Sequence, residues 1–368
     1  MPTIYSLEEE CKLSMQLQKI EQSAASREEA NQRRIAELEK KIKDDSLPIP
    51  PGEWIFADKS LDDHVIINPD TGQTMDLRLS VHPLMDVSLD GKYILTTTDA
   101  QQSLCMVYRD GRRKIIYHSD AVIFNPLLSP DNSRIVFTSF PINRGLHSPS
   151  DLFILDKRVQ PALVDSGVKN FTPQWSPNGE KIMYIKERAD SDDIEICFAD
   201  RNGNKLGSVT SQKGSGSHYW QHYYWLSDYY ILFRDKEGKF KGFSYPAGKE
   251  KPAVMPGEVL DPNFPLYFSP DRHYVAVKAD CRYHEEEWLS GYQMQIFELV
   301  NPTYSQMVCW HLGINNTSTI CWSQDSKRMA FLHEGVLRIK DFREGKKDRH
   351  IRIGGNYSLR HWLPAERK

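Results

Sequence analysis

The chain has 368 residues, 39% apolar and 11% aromatic, with a formal net charge of -3. That apolar content is ample for a packed core and excludes global disorder. The near-neutral balance gives no electrostatic case for a nucleic-acid or anionic-membrane partner.

Six cysteines (Cys11, Cys105, Cys197, Cys281, Cys309 and Cys321) are scattered without a CxxC pair, the usage of a reducing compartment. No apolar run approaches the roughly 18 residues of a membrane span. The opening MPTIYSLEEECKL lacks a basic segment followed by an apolar one, so a cytoplasmic location is expected.

Residues 1–47 read as a helical tether. Ser6-Leu7-Glu8-Glu9 has the form of a capping box, and the stretch after it is rich in Glu, Lys, Gln, Ala and Leu with no Gly or Pro. Leu13, Leu17, Ile20 and Ala24, then Ile35, Leu38 and Ile42, recur at three- and four-residue steps. Arg27 and Asn31 interrupt the seam. A helix this polar draws its stability from packing, so Leu13, Leu17, Ile20, Ile35, Leu38 and Ile42 are expected to bind a partner helix in a coiled coil, with itself or another subunit. The alternative is a helix laid back against its own propeller. Residues 48–52, Pro-Ile-Pro-Pro-Gly, form a stiff linker.

Residues 53–368 read as strands in repeating units. Seven anchors, Val87, Leu128, Trp175, Trp225, Phe268, Trp322 and Trp362, stand 40 to 54 residues apart, the period of a four-stranded propeller blade. A turn follows most anchors, as in SLDGKYIL, SPDNSRIVF, SPNGEKIMY, SPDRHYVAV and SQDSKRMAF. The first unit, from Trp54, lacks an anchor strand, and the last anchor strand, Tyr357–Pro364, has nothing after it. These fragments are complementary, so the expected fold is all-β: a seven-bladed β-propeller closed by pairing of the C-terminal strand with the N-terminal strands, preceded by one long helix.

Trp175-Ser176-Pro177-Asn178-Gly179-Glu180-Lys181, Phe268-Ser269-Pro270-Asp271 and Leu128-Ser129-Pro130-Asp131 resemble the aromatic–Ser-Pro-Asp-Gly-Lys turns of the TolB-like propeller family, also described as WD-like. The resemblance spans about residues 53–368 and implies a propeller with a protein–protein interaction role. The family's exported founder has six blades and a different N-terminal domain, so the likeness bears on fold more than on function.

Long loops are expected on one propeller face: Pro141–Ser150, Ala189–Asp193, Ser211–His222 and Cys281–Gly291. They carry the candidate docking residues Arg144, His147, His218, Tyr219, Trp220, His222, Arg282, Tyr283 and Trp288, where amphipathic aromatics suit an interface. His218 and His222 lie four apart in a segment entering a strand, which does not align metal ligands. The basic run from Arg338 to Arg352 is diluted by Asp341, Glu344 and Asp348.

No nucleotide, zinc or hydrolase motif occurs, so no catalytic residue, metal or cofactor is expected. The expected function is a non-catalytic scaffold or adaptor subunit that binds protein partners through the helix and the elaborated face, with self-association through the helix as one form. Two alternatives stand beside it: a small-molecule-binding or enzymatic propeller using its central channel, and a subunit of an RNA-associated complex.

Overall fold

The computed structural model describes residues 4–41, 48–60, 63–77, 86–98, 100–145, 148–156, 160–170, 172–187, 193–212, 223–234, 240–245, 250–252, 266–280, 292–301, 304–314, 319–355 and 357–366. Among the described residues, one helix, α1 (Ile4–Lys41), precedes 28 strands. It begins before Ser6, so that residue lies inside the helix rather than capping it.

The strands follow in chain order. First come β1 (Trp54–Asp58), β2 (His64–Ile67) and β3 (Thr74–Leu77), then β4 (Asp86–Val87), β5 (Tyr93–Thr98), β6 (Ser103–Tyr108) and β7 (Arg113–His118). Next are β8 (Val122–Leu128), β9 (Arg134–Phe140), β10 (Ser150–Asp156) and β11 (Ala162–Val168), then β12 (Gln174–Trp175), β13 (Lys181–Glu187), β14 (Asp193–Asp200) and β15 (Lys205–Gln212). After them run β16 (Tyr223–Ser227), β17 (Tyr230–Arg234), β18 (Phe240–Ser244) and β19 (Glu250–Pro252). The last are β20 (Tyr267–Phe268), β21 (Tyr274–Asp280), β22 (Tyr292–Asn301), β23 (Tyr304–Ile314), β24 (Ile320–Trp322), β25 (Arg328–His333), β26 (Val336–Asp341), β27 (Arg349–Arg352) and β28 (Ser358–Leu363).

The repeated turn is built by one serine. In each of five turns a buried Ser (88, 129, 176, 269, 323) accepts from the backbone amide five residues on. In four of them its hydroxyl also donates to the Asp or Asn two residues on, at 2.6–2.8 Å. In these five turns the residue four past the anchor is left-handed: Gly91, Asn132, Gly179, Arg272 and Ser326. That conformation favours Gly and Asn.

The anchors tie neighbouring units. The indoles of Trp175, Trp225 and Trp322 donate to the carbonyls of Leu127, Gln174 and Tyr267, in each case the residue before the preceding anchor. Reaching forward, Asp86 accepts from the Leu128 amide, Gln174 donates to the Tyr223 carbonyl, and the Tyr224 hydroxyl accepts from the Leu266 amide.

The sequence period predicts seven separate blades. Among the described residues, five four-stranded sheets stand separately, and β8 to β15 make a single eight-stranded sheet. The junction is one residue pair, Val168 of β11 with Lys186 of β13. Asp165 of β11 holds it together by binding Tyr184 and Lys186 of β13 and Lys205 of β15. This buried carboxylate staples an outer strand onto the next unit, so the count of separate four-stranded blades is five.

β28 pairs antiparallel with β1, Trp362 opposite Ile55 and His361 opposite Phe56, in the sheet β28-β1-β2-β3. Both faces of this sheet are covered. Trp54, Phe56 and Ile66 join a core with Val87, Ile94 and Cys105, while Ile55, Val65, Ile67 and Trp362 join one with Cys321, Ala330 and Ile339. Burial on both faces explains why β1 and β2 read as unbroken apolar runs rather than alternating ones.

Arg109 gathers both ends of the propeller chain. Its buried guanidinium donates to the carbonyls of Gly91 (2.6 Å), Pro50 (2.9 Å), Gly52 (3.0 Å) and Pro364. Ile49 is buried in the core, and its amide bonds the Arg109 carbonyl at 2.7 Å. The proline segment is therefore fastened to the propeller rather than spanning a gap.

Candidate functional site

Among the described residues, two places present chemistry for a function: the helix seam and a recess where the Ser-Pro-Asp turns converge. Ile35 (8% exposed) and Leu38 (6%) are buried against Ile115 of β7. Glu39 accepts from the Ile115 amide at 3.3 Å, and Glu28 accepts from the Gln160 side chain. These two seam positions are accordingly not open to a partner, which corrects the expectation of a wholly partner-facing seam. A helix laid back on its own propeller describes them better.

At 100° per residue, Leu13, Leu17 and Ile20 lie on the same helix face as Ile35 and Leu38. They remain 60%, 53% and 65% exposed, and Met15 is 59% exposed. Ile42 lies outside the described residues.

The recess has two lobes of about 430 Å³ and about 230 Å³, which share Pro270 and Gln324. The larger is lined by the first turns after five anchors, including Asp86, Asn132, Trp175, Asp271 and Arg272. The smaller adds Tyr267, Trp322, Arg360, His361 and Trp362. Residues from units far apart in the chain meet here because each contributes the end of its innermost strand.

Asp86 bonds the amides of Val87 and Leu128 at 2.8 and 2.7 Å. Burial pushes its pKa up, against the opposing pull of His361 and those two amides. Arg272 is the unusual member. It occupies the left-handed turn position at φ +62°, at a cost of roughly 1–2 kcal/mol for a residue with a side chain. Its guanidinium rests 5.0 Å from the centre of the Phe268 ring. No carboxylate or carbonyl of the described residues bonds it, and burial pushes its pKa down to about 10.

Other arginines near the turns are neutralised or saturated. Arg328 pairs with Glu53 at 2.6 Å, Arg201 with Asp131 and Glu180, and Arg360 with Asp58. Asp58 in turn bonds the fully buried His64 at 2.8 Å, which makes that acid a structural hub.

Of the loop candidates, Arg144 is described and lies in an exposed turn. His147, His218, Tyr219, Trp220, His222, Arg282, Tyr283 and Trp288 lie outside the described residues. The recess opens among the turns that follow the anchors. Two polar residues at an inner strand are engaged structurally: Thr172 bonds the Lys169 carbonyl and the Ile185 amide, and Gln174 bonds the next unit. The basic run is partly paired, Lys340 with Asp348 and Arg349 with Asp70.

Sequence reasoning missed Asp86, His361 and Arg272. Superposing the repeats exposes one of them, because Arg272 stands where two other turns have glycine.

Among the described residues no group of His, Cys, Asp and Glu forms a metal site. No helix among them is long and apolar enough to cross a membrane. Cys105, Cys197 and Cys321 are buried thiols, and burial raises the pKa of each.

No family model and no curated protein matches the chain. Among solved structures, an oligogalacturonate lyase from Vibrio parahaemolyticus aligns with a TM-score of 0.56 at 12% identity, covering 80% of this chain and 92% of its own. A functionally unknown protein from Desulfotomaculum acetoxidans gives 0.55 at 12% identity over 85% and 99% of the two chains. TolB from Acinetobacter baumannii gives 0.43 at 16% identity over 87% and 81%, an overlap too loose to carry weight. Identities this low show the fold alone. A lyase shares that fold, so the architecture lends no support to the expectation of a non-enzyme. What the likeness does establish is the all-β propeller fold; the helix that precedes it is seen in this chain itself.

Proposed function

We propose that this protein is an assembly subunit, joined to a partner helix through the overhanging part of α1, with the propeller as its body. The observation that carries the reading is the divided seam. The apolar face is buried on β7 at Ile35 and Leu38, is broken at Arg27 and Asn31, and resumes, uncovered, at Leu13, Leu17 and Ile20. Large apolar side chains in a row on one helix face mark an interaction surface. Ser14, Gln16, Glu21 and Ser23 flank the stripe and place little like charge against a second copy.

Docking of the lower helix fixes the direction in which the overhang projects, so part of the ordering cost is met before a partner arrives. Pairing of β28 with β1 serves, on this reading, to close the propeller into a rigid body, and contacts of β28 with both β4 and β24 support it. Buried cysteine thiols are in keeping with a cytoplasmic setting.

Light scattering of the full chain and of a Leu13→Ser, Leu17→Ser, Ile20→Ser variant tests the proposal. The wild type is expected at a multiple of the monomer mass, or in a stoichiometric complex after affinity purification, and the variant as a folded monomer. Equal masses for the two, with the same co-purifying proteins, would sink it.

A further inference from the structure

We propose that the recess at the Ser-Pro-Asp turns binds a small organic monoanion, with its carboxylate on Arg272 and a hydroxyl-bearing body against Asp86, Asn132 and Gln324. This inference is independent of the role assigned to the helix.

Three observations converge on it. Arg272 is held in a backbone conformation that suits glycine, at a turn position where the neighbouring repeats carry Gly91, Asn132, Gly179 and Ser326. Such local strain is retained where function requires it. Second, Arg272 lines a cavity of about 430 Å³, within the size range of small-ligand pockets. Third, its donors meet no acceptor among the described residues, whereas Arg109 meets four carbonyls and Arg201, Arg328 and Arg360 each meet carboxylates. A planar fork with free donors in a recess matches a carboxylate bidentately.

The neighbours decide the charge class. Asp86 and Asp271 line the same lobe, so a compact dianion such as phosphate adds more repulsion on arrival than a single carboxylate does, and Arg272 is the arginine among the lobe's described lining residues. Burial of Asp86 favours its protonated form, which donates to a ligand hydroxyl; the ionised form accepts from one. Gln324 lines both lobes and brings an amide side chain to the place where they join. Trp175 supplies apolar wall for a carbon skeleton.

Calorimetric titration of the full chain with gluconate, lactate, glucose and inorganic phosphate tests the assignment, using wild type, Arg272→Gly and Arg272→Gln. At least one hydroxycarboxylate is expected to bind saturably, more tightly than phosphate and far more tightly than glucose. Both substitutions are expected to weaken that binding by about tenfold or more. Arg272→Gly is expected to melt at or above the wild-type temperature, because glycine suits the backbone there, and this separates loss of the site from loss of the fold. The proposal is overturned if neither gluconate nor lactate binds at millimolar concentration, if phosphate binds as tightly, or if folded Arg272→Gly retains wild-type affinity.

Discussion

A single hydroxyl decides each repeated turn. The serine after an anchor spans the loop by bonding the amide five residues on and the Asp or Asn two residues on, so the acid is fixed at the turn's tip. At Asp131 burial opposes ionisation. Hydrogen bonds from Ser129, from the Ser133 amide and hydroxyl, and from Arg201 outweigh it and hold the carboxyl far below the usual range. A depressed folded-state pKa contributes stability above the ordinary Asp value near 4, which is lost as pH falls through the folded value. Asp131→Asn is therefore expected to lower the urea midpoint at pH 7 while narrowing its gap to wild type as pH drops below about 4; a constant gap from pH 7 to pH 3 would refute the assignment. Such turns were legible in the sequence because their bonds are local. Arg272 was not, since an arginine in a turn reads as a solvated charge until the other turns show the position to be left-handed.

Elements obey less local rules. The helix was legible from composition and spacing, but its docking was not. Ile115 belongs to an outer strand whose sequence, RKIIYH, gives no sign that one of its residues will meet Ile35 and Leu38. Truncating two buried aliphatic side chains typically costs about 2–5 kcal/mol each, against a contact made by so few groups. Ile35→Ala with Leu38→Ala is expected to release the helix and leave the propeller folded. Limited proteolysis should then cut within residues 27–47 much faster than in wild type, with little change in the main melting transition. Unchanged cleavage would mean that the helix is held elsewhere. The eight-stranded sheet escaped sequence reading for a similar reason: it depends on one backbone pairing and on the buried Asp165, and neither alters the period of the repeat.

For the molecule as a whole, the two chain fragments that looked incomplete alone share one sheet. Removing residues 357–368 takes away buried Leu359, Trp362 and Leu363 and the Pro364 carbonyl on Arg109. Burial of each such apolar side chain contributes about 1.5–3 kcal/mol, and the sum rivals the whole stability of a typical domain. The truncated chain is expected to lose its cooperative thermal transition by differential scanning calorimetry; a wild-type melting temperature would show that β28 is dispensable.

The reach of Arg109 has a topological consequence. Carbonyls of Pro50, Gly52 and Pro364 all bond one side chain, so the start and finish of the propeller polypeptide sit within a few ångströms, on the order of one hydrogen-bond shell. The propeller backbone is thus almost a closed loop, so the place at which that loop is cut is expected to matter little to its fold. A gene permuted to join the tail to the proline segment, and reopened at another tight turn, would encode the same body with α1 carried at a new address.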